Sequence, residues 1–153
     1  MIMRIISHRG NLDGRIPESE NHPDYIKQAI VAGFDVEIDV WCINGEFMLG
    51  HDDPHYAVDV SFLKNPFLWC HAKNADALEK LLEEGVHCFW HESDTYTITS
   101  RGSIWCYVGK YHKKGIAVNL GEPTDPKDSL YGVCTDYPIK WKERNVLNEF
   151  YNG

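Results

Sequence analysis

The chain has 153 residues, 43% of them hydrophobic and 25% charged, with a formal net charge of −8. That length suits one well-cored domain spanning 1–153 rather than two, and the composition is that of an ordinary globular protein. The acidic balance argues against a nucleic-acid-binding surface, and no apolar run reaches the roughly 18 residues of a membrane span, so no stable membrane insertion is expected.

The first strand is expected over Met3-Arg4-Ile5-Ile6-Ser7-His8, ending at the turn signal Arg9-Gly10. Asn11 to Asn21 reads as loop. A helix starts near Pro23, carries Ile26, Ala29 and Ile30 on one face, and stops at Gly33. A second strand covers Phe34 to Trp41, and Asn44-Gly45 turns it into a hairpin returning over Glu46 to Gly50. Phe67 to Lys73 is a third core strand. Asn74 caps a helix striped by Leu78, Leu81 and Leu82 and ended by Gly85, before a fourth strand over Val86 to Trp90. Two strand–helix–strand units in succession imply parallel strands with right-handed crossovers.

The second half changes character. Tyr96 to Thr99, Ile104 to Val108, Ile116 to Leu120 and Tyr131 to Thr135 read as strands with short connections, and only the tail around Val146, Leu147 and Phe150 reads as helix. About eight core strands plus a hairpin suggest an α/β fold, a reduced (β/α)8 TIM-type barrel with few helices in its second half. Such barrels typically take about 250 residues, so most second-half helices must be missing. An open α/β sheet of about five parallel strands is the structural alternative. Bare strand backs would offer a surface for a homodimer.

The five cysteines (Cys42, Cys70, Cys88, Cys106, Cys134) are odd in number and form no C-x-x-C pair. Most lie in apolar runs, where cysteine behaves as a small hydrophobe, and the expectation is reduced, buried thiols in a cytoplasmic protein. The opening residues are too soon interrupted for a secretory signal.

Chemistry concentrates in three segments. Glu37 and Asp39 are two apart on a strand and share a face. A charge inside an apolar strand costs several kcal/mol unless paired, so these two carboxylates require a cation. His8-Arg9-Gly10 ends the first strand, and His51-Asp52 follows twelve residues after Asp39. The imidazoles suit acid and base roles, and Arg9 suits a phosphate. His71 and Lys73 share a face of the third strand, and His91-Glu92 ends the fourth at the expected barrel mouth. Trp69, Trp90, Trp105 and Tyr107 read as core rather than as a substrate platform. His22, His55, His87 and His112 have no special context.

In order and approximate spacing, these motifs resemble the glycerophosphodiester phosphodiesterase family, within the wider phosphatidylinositol-phospholipase-C-like barrel superfamily. The matching stretches are His8-Arg9-Gly10, Pro17-Glu18, Val36-Glu37-Ile38-Asp39-Val40, His51-Asp52 and Cys134-Thr135-Asp136-Tyr137-Pro138. The likeness is good over the first third, moderate at the terminus and weak between Lys73 and Leu130. It implies a metal-dependent phosphoric diester hydrolase acting on small glycerophosphodiester-like or lysophospholipid-like molecules. His8 and His51 would be the catalytic pair, Glu37, Asp39 and Glu18 the metal residues, and Arg9, Lys73 and His71 the substrate-binding ones.

Oxygen ligands favour Mg²⁺ or Ca²⁺. The family usually has glutamate two residues before the third-strand lysine, where this chain has His71. Imidazole is softer and neutral, which brings Zn²⁺ or Mn²⁺ into consideration and gives His71 a ligand role as an alternative. The same departure, with the shortened second half, motivates a rival reading as a non-catalytic phosphate-ester-binding protein.

Overall fold

The structure, a computed structural model, describes residues 2–124 and 130–152. The first half runs β1 Arg4–His8, α1 Pro23–Val31, β2 Asp35–Ile43, β3 Glu46–Leu49, β4 Tyr56–Val58, α2 Val60–Leu63, β5 Leu68–Ala72, α3 Ala75–Glu83 and β6 Cys88–Phe89. The second half runs β7 Tyr96–Ile98, β8 Ile104–Cys106, β9 Gly115–Val118, β10 Gly132–Thr135 and α4 Pro138–Asn152.

Local chemistry explains the expected elements. Pro23 opens α1, and the His22 imidazole accepts the Asp24 amide at its N-terminus. The Asn74 side chain accepts the Ala77 amide to cap α3, and the same amide group bonds both the N–H and the C=O of Cys42, pinning the helix start to β2. Asn44 and Gly45 have φ of 52° and 80°, the two positive values that a tight hairpin turn between twisted strands demands. β4 and α2 were not expected from the sequence. The last helix is longer than the apolar tail suggested, starting at Pro138 and burying Trp141.

Seven strands are mutually parallel in the order β6-β5-β2-β1-β10-β9-β8. β3 and β4 extend antiparallel from the C-terminal end of β2, and β7 lies antiparallel on β8. The sheet is curled. Ile6, Trp69, Phe89, Trp105, Ile116 and Cys134 come from strands spread across it yet form one buried cluster on its concave face. The Trp105 ring lies 4.6 Å from that of Phe89 and 5.7 Å from that of Trp69, so β8 has swung round to meet β5 and β6.

The two edges meet at a laced seam rather than a ladder. The Ser100 amide donates to the Cys88 carbonyl, the Cys88 amide to Ser100 Oγ, and Thr97 Oγ1 to the Trp90 carbonyl. No strand pairing joins β6 to β7 or β8 among the described residues. The architecture is therefore α/β, a curled and mostly parallel sheet with few helices. Its ladders do not form the complete eight-stranded parallel ring expected above. The place next to β8 goes to β7, which comes straight back from β6 through a loop too short for a crossover helix and so runs antiparallel.

A second core lies on the convex face. Ile26 and Ala29 of α1 and Ala77 and Leu81 of α3 pack on Val36, Ile38, Val40, Leu68, Cys70, Ala72 and Cys88. The alternation along β2 follows: Val36, Ile38 and Val40 face the helices, so Glu37 and Asp39 face the concave side. All five cysteines are buried and free. Among the described residues no helix is long and apolar enough to cross a membrane.

Candidate active site

Strand register assembles the site. His8 pairs with Glu37 across β1 and β2, and Asp39 pairs with His71 across β2 and β5. Ser7 pairs with Thr135, which brings the residues that follow them, His8 and Asp136, side by side. A cavity of about 240 Å³ opens over them. Its polar wall carries His8, Arg9, Glu37, Asp39, His51 and His71, and its apolar wall carries Phe89, Trp105, Tyr107 and Val118.

The turn after β1 is tightly built. Arg9 has a positive φ of 58°, an uncommon conformation for a side-chain-bearing residue, held by bonds from its N–H to the Glu37 carbonyl and to its carbonyl from Asn21. A Cβ on Gly10 would stand 2.8 Å from the Tyr25 ring. At Gly50, before His51, a Cβ would collide with the Asp53 carbonyl, so only glycine allows the turn that carries His51 to the cavity rim.

Glu37 and Asp39 are 3% and 1% exposed. Asp39 is clamped by Asn21, whose Nδ2 donates to Oδ2 at 2.9 Å while its Oδ1 accepts the Asp39 amide at 3.0 Å. Arg9 Nε stands 3.2 Å from the same Oδ2. Asp39 Oδ1 and Glu37 Oε2 are buried with no hydrogen-bond partner. Burial and the neighbouring Asp39 charge push the Glu37 carboxyl up to about 7. Four carboxylates (Glu20, Glu37, Asp39, Asp136) surround Arg9 and His8, with Arg15 also on Glu20 and the Lys73 charge acting on Glu37.

His8 is oriented from behind. Its Nδ1 lies 2.7 Å from Asp136 Oδ1, and because a carboxylate only accepts, Nδ1 carries the proton. Nε2 is the free end, 3.8 Å from Glu37 Oε2. Burial works to lower the His8 pKa, but the Asp136 bond and the Glu37 charge outweigh it and the net shift is upward. Asp136 is held below its ordinary value: burial opposes this, and the bonds from His8 and Asn11 prevail.

His71 is the complementary case. Its Nε2 lies 2.9 Å from the His91 carbonyl, so Nε2 carries the proton and the Nδ1 lone pair faces Asp39 Oδ1 at 3.5 Å and Glu37 Oε1 at 4.0 Å. Burial lowers its pKa and keeps the ring neutral. Glu37, Asp39 and His71 thus present three donors within 4.8 Å of one another, with Asp39 Oδ1 buried and lacking a hydrogen-bond partner, and they fit a divalent cation. His71, placed with substrate-binding residues from the sequence, sits with the two carboxylates.

The other expected residues fall around this centre. His51 stands half-exposed at the rim with Nδ1 bonded to Asp52 Oδ1 at 2.8 Å. Lys73 follows β5 and its charge acts on Glu37, but its side chain does not line the cavity. His91 and Glu92 do line it. Glu18, expected beside the metal, is exposed and lines a neighbouring cleft, away from Glu37 and Asp39. The inward residues of that loop are Glu20, which bonds Arg9, Asn11 and Arg15, and Asn21. Nothing local in Glu18-Ser19-Glu20 distinguishes the outward glutamate from the inward one.

Comparisons with profiles of protein families, with curated proteins and with solved structures found no match.

Proposed function

We propose that this protein is a metal-dependent phosphodiesterase that hydrolyses small glycerophosphodiester-like molecules in the cavity over β1, β2 and β5. The observation that carries the reading is the pair of buried, unpartnered oxygens, Glu37 Oε2 and Asp39 Oδ1, facing two histidines across one cavity. Carboxylates buried without partners cost several kcal/mol, a cost that a bound cation offsets. Glu37 and Asp39 would hold it with His71 beside them, and a divalent ion there supplies Lewis-acid stabilisation of charge developing on phosphoryl oxygens.

The chain's own groups then have distinct tasks. Asp136 keeps the His8 proton on Nδ1 and turns Nε2 toward the cavity. His51, at the cavity rim, presents its Nε2 because Asp52 occupies its Nδ1. One imidazole accepts the proton of the attacking oxygen, from water or a neighbouring hydroxyl of the substrate. The other donates a proton to the departing alkoxide as the P–O bond breaks. Arg9 stays charged and borders the cavity, where it meets a phosphate while remaining tethered to Asp39 and Glu20. Phe89, Trp105 and Tyr107 face the non-polar part of the substrate and exclude water.

Hydrolysis of bis(p-nitrophenyl) phosphate and of natural glycerophosphodiesters tests this, with wild type beside the Glu37→Ala/Asp39→Ala double variant under Mg²⁺, Ca²⁺, Mn²⁺ and Zn²⁺. Metal-dependent turnover that the double variant lacks is the expected result. Phosphate-ester binding without turnover under every metal would instead establish the rival binding-protein reading, which the short second half favours.

A further inference from the structure

The His71 ring carries a further inference, which rests on reading Glu37 and Asp39 as a cation site. Phe89 stacks on the ring at 4.9 Å and an angle of 10°, and the His91 carbonyl takes its Nε2–H. These contacts fix both the plane and the tautomer. The Nδ1 atom therefore has no proton to offer the carboxylates it faces. The imidazole lone pair, Asp39 Oδ1 (buried and without a hydrogen-bond partner) and Glu37 Oε1 converge on the same space, an arrangement that a cation between them relieves.

We infer that Glu37, Asp39 and His71 form a mixed nitrogen–oxygen site that selects a borderline first-row transition ion such as Zn²⁺ over Mg²⁺ and Ca²⁺. Neutral imidazole suits zinc and its neighbours in the series, whereas both alkaline-earth ions prefer hard oxygen. Mg²⁺ demands near-ideal octahedral oxygen geometry and usually keeps several waters, to which an imidazole nitrogen is a poor addition. Ca²⁺ takes about six to eight oxygens. Asp39 Oδ2 is already engaged by Asn21 and Arg9, which leaves that ion only the two Glu37 oxygens and Asp39 Oδ1. Three protein ligands with open positions are the pattern of a reactive zinc site, and a backbone carbonyl behind the ligating histidine is its usual support.

The test is metal binding without substrate, using Co²⁺ as a visible probe in the full chain. Co²⁺ is expected to give a d–d absorption band that Zn²⁺ abolishes and that about 1000-fold excess Mg²⁺ or Ca²⁺ leaves in place. His71→Ala is expected to weaken Co²⁺ and Zn²⁺ on the order of 100-fold, and His71→Glu to shift preference toward Mg²⁺ and Ca²⁺. Imidazole ¹⁵N NMR of the wild type needs no variant: Zn²⁺ should move the His71 Nδ1 resonance while Nε2 keeps its proton. Displacement of Co²⁺ by equimolar Mg²⁺, or an unmoved Nδ1 resonance at saturating Zn²⁺, overturns the inference. Selective Zn²⁺ binding without any diester turnover leaves it standing and removes the phosphodiesterase reading. Mg²⁺-supported turnover with no zinc preference does the reverse.

Discussion

The two halves of the curled sheet are built on different plans. From β1 to β6 the strands are covered by α1 and α3 on the convex face and by the inner cluster on the concave one. From β7 to β10 the strands are three or four residues long, and the described residues between them contain no helix. The chemistry divides in the same way. His8, Arg9, Glu20, Glu37, Asp39, His51 and His71 come from the first half, while the second supplies Asp136 and the aromatic wall of Trp105 and Tyr107. Buried charge needs surroundings that cannot relax around it, and strands packed on both faces provide them.

The largest expected contrast is in catalysis. His8→Ala should lower diester turnover by about 10²- to 10⁴-fold, the usual contribution of a positioned acid or base. Asp136→Asn should fall between that variant and wild type, with a changed pH–rate profile, because it alters which His8 nitrogen holds the proton. Equal rates for wild type and His8→Ala would exclude the proposed site from the chemistry.

Stability should divide along the same line. Leu81→Ala, in the sealed convex core, should cost about 2–5 kcal/mol in denaturant unfolding. Ile98→Ala on β7, which is 66% exposed, should cost less than about 0.5 kcal/mol. Comparable losses would show that both halves are packed to the same standard.

A smaller effect concerns the charge pair itself. In chelator, Glu37→Gln should raise Tm, since it removes one of two buried like charges. The native Glu37 carboxyl is raised to about 7, so the folded state holds this proton more tightly than the unfolded chain. Its stabilising effect is present at low pH and is lost as pH rises from the ordinary carboxylate range through 7. The Tm gain should therefore be larger at pH 8 than at pH 4.5, and a pH-independent gain would contradict the burial argument.

The seam between the halves should show a pH dependence of the opposite sign. His87 Nε2 bonds Thr99 Oγ1 at 2.8 Å, and burial, with Arg101 and Arg4 nearby, lowers its pKa to about 4. The folded state keeps this ring neutral, so its stabilising effect is complete above the unfolded value of 6.5 and is lost as pH falls toward 4. Replacement by glutamine should flatten that part of the Tm–pH curve. An unchanged curve would show that the seam does not sense protonation.

Much of the first half was legible in the sequence because its signals are local. A proline opens α1, an asparagine caps α3 and Asn44-Gly45 turns the hairpin, each acting within four residues. The parity of Glu37 and Asp39 needed nothing more than the two-residue strand period. The tertiary structure alone decided the rest. It brought Asp136 to His8 across 128 positions, turned Glu20 and Asn21 rather than Glu18 inward, and set β7 against β8 instead of closing a ring. It also chose the His71 tautomer, through a carbonyl twenty residues away. Capping, turns and strand alternation are energies of neighbouring residues and can be read along the chain. Orientation, protonation and burial belong to side chains that meet only after the sheet has curled.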